Sequence, residues 1–297
     1  MEKSSTLQLI QFYIQTNMDV KYTCTYWGCE HQSAKEFLSN VVNNGYEGVE
    51  INFPDNANFI TEFMEELENI RNTINPNFIF IAQQVLSNKN ETVEEYIERI
   101  TKRLEFLITL NPNYINSHTG KDFYDFSNNC KIIEITEHIA RNSGIPIWHE
   151  IHRGRFSFHL KTLLKYIDIY PKLKLIADFS HFCVVSESNL EDQKELLSKI
   201  YPNIKHIHAR VGFEQSPQVN HPFAPEWNSH LERYLSWWKE IIEIQKKRNY
   251  SQINITPEFG PFPYMPQEPF TKKPLSNQWE INLEMKHYLQ QNLITNG

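Results

Sequence analysis

Short β-branched and aromatic runs alternate with longer amphipathic stretches eight times along this 297-residue chain, and no other feature constrains the fold as strongly. Strand-forming runs fall at 21–27, 47–52, 78–83, 114–118, 146–151, 173–178, 204–209 and 253–258. Helical patterns follow them at 33–44, 57–74, 91–110, 127–143, 157–170, 189–200, 228–249 and 276–292. Strict alternation implies parallel strands, because each crossover helix returns the chain to the same end of the sheet. Eight such units predict an α/β fold, a single-domain (β/α)8 TIM barrel over residues 21–297 with an N-terminal extension over 1–20. Ser33 with Glu36 has capping-box spacing, Asp55 and Asn56 are N-cap candidates, and Gly45 and Gly144 fall where helices end. An open doubly wound sheet is the alternative, but no GxGxxG or GxxxxGK[ST] follows a strand.

The charge balance, 29 Lys+Arg against 36 Asp+Glu, gives a formal net charge of −7, which disfavours a non-specific grip on nucleic acid or on an anionic membrane. Four cysteines, Cys24, Cys29, Cys130 and Cys183, form no CxxC pair and no disulfide framework, so a reducing cytoplasm is expected. The first residues carry only a short apolar stretch broken by Gln and are not read as a secretory signal. No run approaches the length of a membrane span, so no membrane partner is expected.

In a barrel of this kind chemistry sits at the carboxyl ends of the strands. Strands five to eight end in Glu150, Asp178, His208 and Glu258. Taken singly, the ordinary reading of each is the stronger one: a buried Glu pairs with an Arg, and a strand-end Asp caps the next helix. Together on four neighbouring strands they form a mixed O/N donor set suited to Mn²⁺, Mg²⁺, Co²⁺ or Zn²⁺. Without a cation, three carboxylates that close would repel, and some would stay protonated. Further polar groups stand near the same mouth: His181 in ADFSHF, His118 in NSHTG, Glu50 and Asn52 at strand two, His152, Arg153 and Arg155 after Glu150, and Arg210 after His208. Arginines here either bind substrate hydroxyls, carboxylate or phosphate, or pair with the surplus carboxylates. His206 lies a layer below His208 and reads as a core histidine, while His149 and His159 read as structural or solvated.

At these residues the chain resembles the xylose isomerase-like TIM-barrel superfamily, the sugar phosphate isomerase/epimerase group that also includes tagatose/psicose epimerases, hydroxypyruvate isomerases, inosose dehydratases and endonuclease IV. The matching segments are GYEGVEI (45–51), HEIHRGR (149–155), ADFSHF (177–182), the stretch 206–227 and TPEFGPFPYM (256–265). The resemblance covers about residues 20–293. It implies that Glu150, Asp178, His208 and Glu258 hold a divalent metal ion and that His181 and Arg210 meet the substrate. It also implies a metal-dependent isomerase or epimerase of carbohydrate metabolism, in which Glu150 and Glu258 pass a proton through a metal-stabilised enediolate. His118, Arg155, Glu50 and Trp27 are the further substrate-binding candidates.

Three alternatives share this scaffold. A dehydratase of a keto-polyol would use the same centre. An endonuclease IV-like phosphodiesterase would need extra histidines on early strands and an Asp-x-His after strand seven, where this chain has Asn220 and His221 in PQVNHPF. A barrel that binds a sugar or metal without turning it over is the third. The expected partner is a small sugar or polyol, and a homo-oligomer is left open. Two long loops, 211–227 and 259–270, carry prolines and aromatics, so Trp227, Phe262 and Tyr264, with Tyr26 and Trp27, are candidates for a wall over the metal.

Overall fold

The structure, a computed structural model, describes residues 18–85 and 88–293. The extension expected over 1–20 lies outside the described residues as far as residue 17, and strand β1 (Asp19–Thr25) takes up residues 19 and 20. Strands β2 (Gly48–Ile51), β3 (Ile79–Gln84), β4 (Tyr114–Ser117), β5 (Ile147–Glu150), β6 (Leu175–Ala177), β7 (Ile204–Ala209) and β8 (Gln252–Pro257) follow. All pair in parallel in chain order, and the ring closes where Tyr22 of β1 sits opposite Ile255 of β8. The eightfold βα alternation therefore produces a closed barrel in one domain.

Helices α1 (Ala34–Asn43), α2 (Ala57–Thr73), α3 (Val93–Thr109), α4 (Phe126–Ser143) and α5 (Leu160–Ile169) follow the first five strands. The starts are fixed locally. Ser33 and Glu36 form the reciprocal capping box, Thr92 and Glu95 form another, and the Asn56 side chain accepts from the Phe59 amide at 3.1 Å. Gly144 ends α4 in the left-handed conformation with φ of 74°. After β6 the expectation of one helix over 189–200 is corrected. The crossover is split into α6 (Ser180–Ser186) and α7 (Lys194–Ile200). The sequence of α6, SHFCVVS, has no charged residue and two valines, so it lacks an amphipathic signature, yet Phe182 and Cys183 are buried. Helices α8 (Asn228–Lys247) and α9 (Gln278–Asn292) complete the ring.

Strand side chains divide cleanly by parity. Val49, Ile51, Phe80, Ala82, Ile115, Leu175, Ile207 and Ile255 face outward and join the large core beneath the helices with Phe37, Phe63 and Leu104. Each buried Val, Leu, Ile or Phe side chain among them contributes about 1.5–3 kcal/mol. Ile79, Ile81, Tyr114 and Ile176 form a separate small cluster inside the barrel, against which Trp148 packs, its ring stacked on Tyr114 with centroids 3.8 Å apart. Other positions of the inner face are polar: Thr23, Glu50, Gln83, Asn116, His206 and Thr256 are all buried. An apolar plug and a polar layer thus share the barrel interior.

Gly48 makes room for the plug, since a Cβ there would meet the Ile79 Cβ and carbonyl oxygen at 2.5 Å. Gly48→Ala should lower stability in urea unfolding by about 1–3 kcal/mol through overpacking. An unchanged midpoint would show that the interior yields more easily than this packing implies.

Candidate active site

The last four strands deliver their terminal polar residues to one point. Glu150 ends β5, Asp178 directly follows β6, His208 is the penultimate residue of β7 and Glu258 directly follows β8. All four are buried, and one donor atom from each lies within 4.8 Å of the others. The three carboxylates are held in different ways. Glu150 Oε2 accepts from Asn116 Nδ2 at 2.7 Å and lies 3.0 Å from His118 Nε2. Asp178 Oδ1 accepts from the Ser180 amide at 3.1 Å and the Ser180 hydroxyl at 2.5 Å, and its Oδ2 takes a hydrogen bond from Arg210 Nη2. Glu258 Oε2 lies 2.8 Å from His208 Nδ1 and 3.8 Å from Arg210 Nη2.

These surroundings separate the protonation behaviour of the group. Burial raises the Glu150 carboxyl, but the charges of His118 and His208 outweigh it and hold the group well below the usual carboxylate range. Burial lifts Glu258 to about 7 against the pull of His208 and Arg210. Asp178 is also raised by burial, with Arg210 opposing. For His208 burial favours the neutral ring, yet Glu258, Glu50 and Glu150 together push it well above its ordinary value. Burial drives His181 and His152 well below theirs, each helped by neighbouring positive charge.

The donor set fits a divalent cation on its own chemistry. Three carboxylates and one imidazole nitrogen suit Mn²⁺, Mg²⁺, Co²⁺ or Zn²⁺. His208 Nδ1 lies close to Glu258 but has no hydrogen-bond partner among the described residues, and it stands in the midst of the carboxylates. A cation would satisfy that nitrogen and the surplus negative charge together.

Beside this cluster lies a cavity of about 390 Å³, a volume suited to a small molecule, lined among others by Tyr26, Trp27, His118, Glu150, His152, Arg210, Glu258 and Tyr264. Trp27 and Tyr264 meet edge to face with centroids 5.0 Å apart, and the Arg210 guanidinium carbon lies 4.7 Å from the Tyr264 ring centre. Gly260 permits this wall, since a Cβ there would strike the Trp27 indole at 2.1 Å. His181 is fully buried beside the cavity, with Nε2 receiving from Arg210 Nη2 at 3.0 Å and Nδ1 without a hydrogen-bond partner among the described residues.

Two residues expected at the substrate stand farther back. Glu50 is fully buried beneath the cluster, its carboxylate enclosed by His208, Thr256, Asn116 and Gln83, so it does not face the cavity. Arg155 stands behind His118, with Nη2 at 3.4 Å from His118 Nδ1. His118 Nδ1 faces this guanidinium, and its Nε2 faces Glu150 Oε2 at 3.0 Å. Trp227 and Phe262 leave the expected wall. Trp227 packs on Phe213 and donates to Asn220, while Phe262 is largely exposed and borders a separate cleft of about 870 Å³ that holds none of the four clustered residues. His206 is the core histidine that its position suggests, between Tyr114 and Thr256.

Sequence reasoning missed Gln83, Asn116 and Thr256, and gave His152 no role although it lines the cavity. Polar residues at alternate positions of otherwise apolar strands were the available signal.

The family model for the xylose isomerase-like TIM barrel matches residues 38–273. The chain belongs to that family. No curated protein matches it in sequence. Among solved structures of this fold, a D-tagatose 3-epimerase-like protein is 16% identical, with a TM-score of 0.61 over 92% of this chain and 97% of that one. A probable 3-DHS dehydratase from Bacillus anthracis is 17% identical, with a TM-score of 0.58 over 91% and 98%. A xylose isomerase-like TIM barrel protein from Mycobacterium smegmatis, in complex with magnesium, is 12% identical, with a TM-score of 0.58 over 95% and 98%. At these identities the likeness is one of fold.

For this member of the xylose isomerase-like family, chelator-treated protein should melt higher as Mn²⁺, Co²⁺ or Zn²⁺ is added. An ion at a hundred times its Kd adds about 2.7 kcal/mol. Asp178→Asn should remove most of that gain in a thermal melt, and an equal gain in the variant would contradict a role for Asp178 in holding the ion.

Proposed function

We propose that the chain is a divalent-metal-dependent isomerase or epimerase of a sugar or sugar derivative, acting by proton transfer at a carbon beside a carbonyl. The observation that carries this reading is the convergence of Glu150, Asp178, His208 and Glu258 beside an aromatic-walled cavity in a xylose isomerase-like barrel. A proton on such a carbon is too weakly acidic for a carboxylate alone. A divalent ion held by the four residues would supply the missing stabilisation by polarising the carbonyl and its neighbouring hydroxyl.

The chain's own groups divide the remaining work. Glu150 and Glu258 both reach the cavity, from strands three apart around the barrel, so each can remove or return a proton at a substrate lying between them. Asn116 donates to Glu150 Oε2 and His118 Nε2 lies 3.0 Å from the same oxygen, which holds that carboxylate in one orientation while Oε1 stays clear of them. Arg210 spans Asp178 and His181 and extends to the cavity, where its remaining N–H groups can meet substrate hydroxyls. Trp27 and Tyr264 offer flat apolar faces to a sugar ring or polyol chain and keep water from the proton in transit.

The loop after β7 gives no support to a phosphodiesterase reading. The Asn220 side chain accepts from Trp227 Nε1 at 2.7 Å and from the His221 amide at 2.9 Å, and His221 Nδ1 accepts from the Phe223 amide at 3.4 Å. Both residues are taken up within their own loop. Reversal of a stereocentre, aldose–ketose interchange and dehydration all begin with the same proton removal, so the test addresses that step.

Metal-loaded protein in deuterated water, offered ketoses, inososes and 3-keto sugars, should place deuterium on a carbon of at least one of them, read by NMR or mass spectrometry. Glu150→Gln and Glu258→Gln should each slow that exchange by about 10²–10⁴-fold. Full exchange in both variants would sink the two-glutamate mechanism, and no exchange with any of these compounds would count against the sugar reading.

A further inference from the structure

We propose that Glu50 is a positioning residue for the metal centre. With an ion held there, its carboxylate keeps the His208 proton on Nε2, so that Nδ1 turns an unshared pair toward Glu150, Asp178 and Glu258. The inference rests on the reading of those four residues as metal ligands and deepens it.

The geometry leaves little freedom. His208 Nε2 lies 3.1 Å from both oxygens of Glu50. Glu50 Oε2 also receives Thr256 Oγ1 at 2.8 Å, and Oε1 receives Asn116 Nδ2 at 2.8 Å and Gln83 Nε2 at 3.1 Å. A carboxylate only accepts, so each of these partners must donate. Thr256 spends its one hydroxyl proton on Glu50 and must therefore accept from His206 Nε2, 2.8 Å away. With its proton on Nε2, His206 accepts at Nδ1 from the Tyr114 hydroxyl at 3.2 Å, and the Tyr114 oxygen accepts from Asn254 Nδ2 at 2.8 Å. The donor chain Asn254, Tyr114, His206, Thr256 runs in one direction and ends on Glu50.

Two further observations tie Glu50 to the centre above it. Asn116 Nδ2 bridges Glu50 Oε1 and Glu150 Oε2, at 2.8 and 2.7 Å, while its own Oδ1 has no partner. That this oxygen has no hydrogen-bond partner among the described residues follows from the two carboxylates, which both demand the NH₂ end of the amide. Across the ring, His208 Nδ1 is the one nitrogen of that imidazole without a hydrogen bond. Glu50, His206 and His208 also lie close enough to hold an ion of their own, but their facing atoms are already engaged in the network just described. A carboxylate that holds the far nitrogen of a ligating histidine sets both ring orientation and basicity.

The test uses full-length protein stripped with chelator and titrated calorimetrically with Co²⁺, alongside Glu50→Gln. A glutamine must turn an N–H toward one of the donors that Glu50 now satisfies. Co²⁺ affinity should therefore fall by about 10–100-fold. Wild-type protein that binds Co²⁺ while Glu50→Gln stays within twofold of it would overturn the inference and leave the metal reading intact. Wild-type protein that binds no ion would overturn the metal reading and the inference together. A second measurement needs no variant: long-range ¹H–¹⁵N correlation on Zn²⁺-loaded, ¹⁵N-histidine-labelled wild-type protein. His208, identified by loss of its signals in His208→Gln, should carry its proton on Nε2, and a proton on Nδ1 with Nε2 bound to the metal would overturn the inference directly.

Discussion

Four carboxylates, Glu50, Glu150, Asp178 and Glu258, are buried in the interior of one barrel, and even the two that line the cavity, Glu150 and Glu258, expose no more than 5% of their surface. Removing an ionised carboxylate from water costs several kcal/mol unless hydrogen bonds or opposite charge replace the lost solvation. Much of the polar interior can be understood as the answer to that cost. Glu50 is answered by four donors, Asp178 by Ser180 and Arg210, and Glu150 by Asn116 and His118. Among the described residues Glu258 is flanked by His208 and Arg210, and its carboxyl is the one that burial lifts to about 7. A centre with three carboxylates and too few donors is electrostatically incomplete without a cation. That incompleteness connects the packing of the barrel with the proposed chemistry.

The apolar part of the interior serves the same end. Ile79, Ile81, Tyr114 and Ile176 fill the barrel as a plug with Trp148, and the polar residues rest against it in fixed registers such as His206 opposite Asn254 and His208 opposite Thr256. Tyr114 belongs to both parts, its ring stacked on Trp148 and its hydroxyl joined to His206 and Asn254. A rigid plug leaves the histidines little freedom to rotate, which is what a preorganised site requires.

Much of this was legible in the sequence. The βα alternation carries the barrel because crossover geometry leaves a parallel sheet few alternatives, and the four strand-end residues stand out because strands five to eight all stop at a polar group. Depth was not legible. Glu50 lies one residue before the end of β2 and Glu150 at the end of β5, but the stagger between strands sets how far each reaches toward the mouth, and stagger leaves no mark in a single sequence. Arg155 was misplaced for a related reason: loop direction after β5 turns its guanidinium behind His118. Trp227 and Phe262 had the right composition for a wall, and the paths of their loops carry them away from it. Helix α6 escaped notice because a seven-residue helix whose first four residues are buried and which carries no charged side chain has no polar face to create a period.

The central claim is that one divalent ion sits among Glu150, Asp178, His208 and Glu258 at the mouth of this barrel. Anomalous diffraction from crystals grown with Zn²⁺ tests it most directly. The account predicts an anomalous peak about 2.0–2.2 Å from His208 Nδ1 and from an oxygen of each of the three carboxylates. A peak ligated through His208 Nε2, a peak held only by His118 and His152, or no peak in this barrel would contradict it.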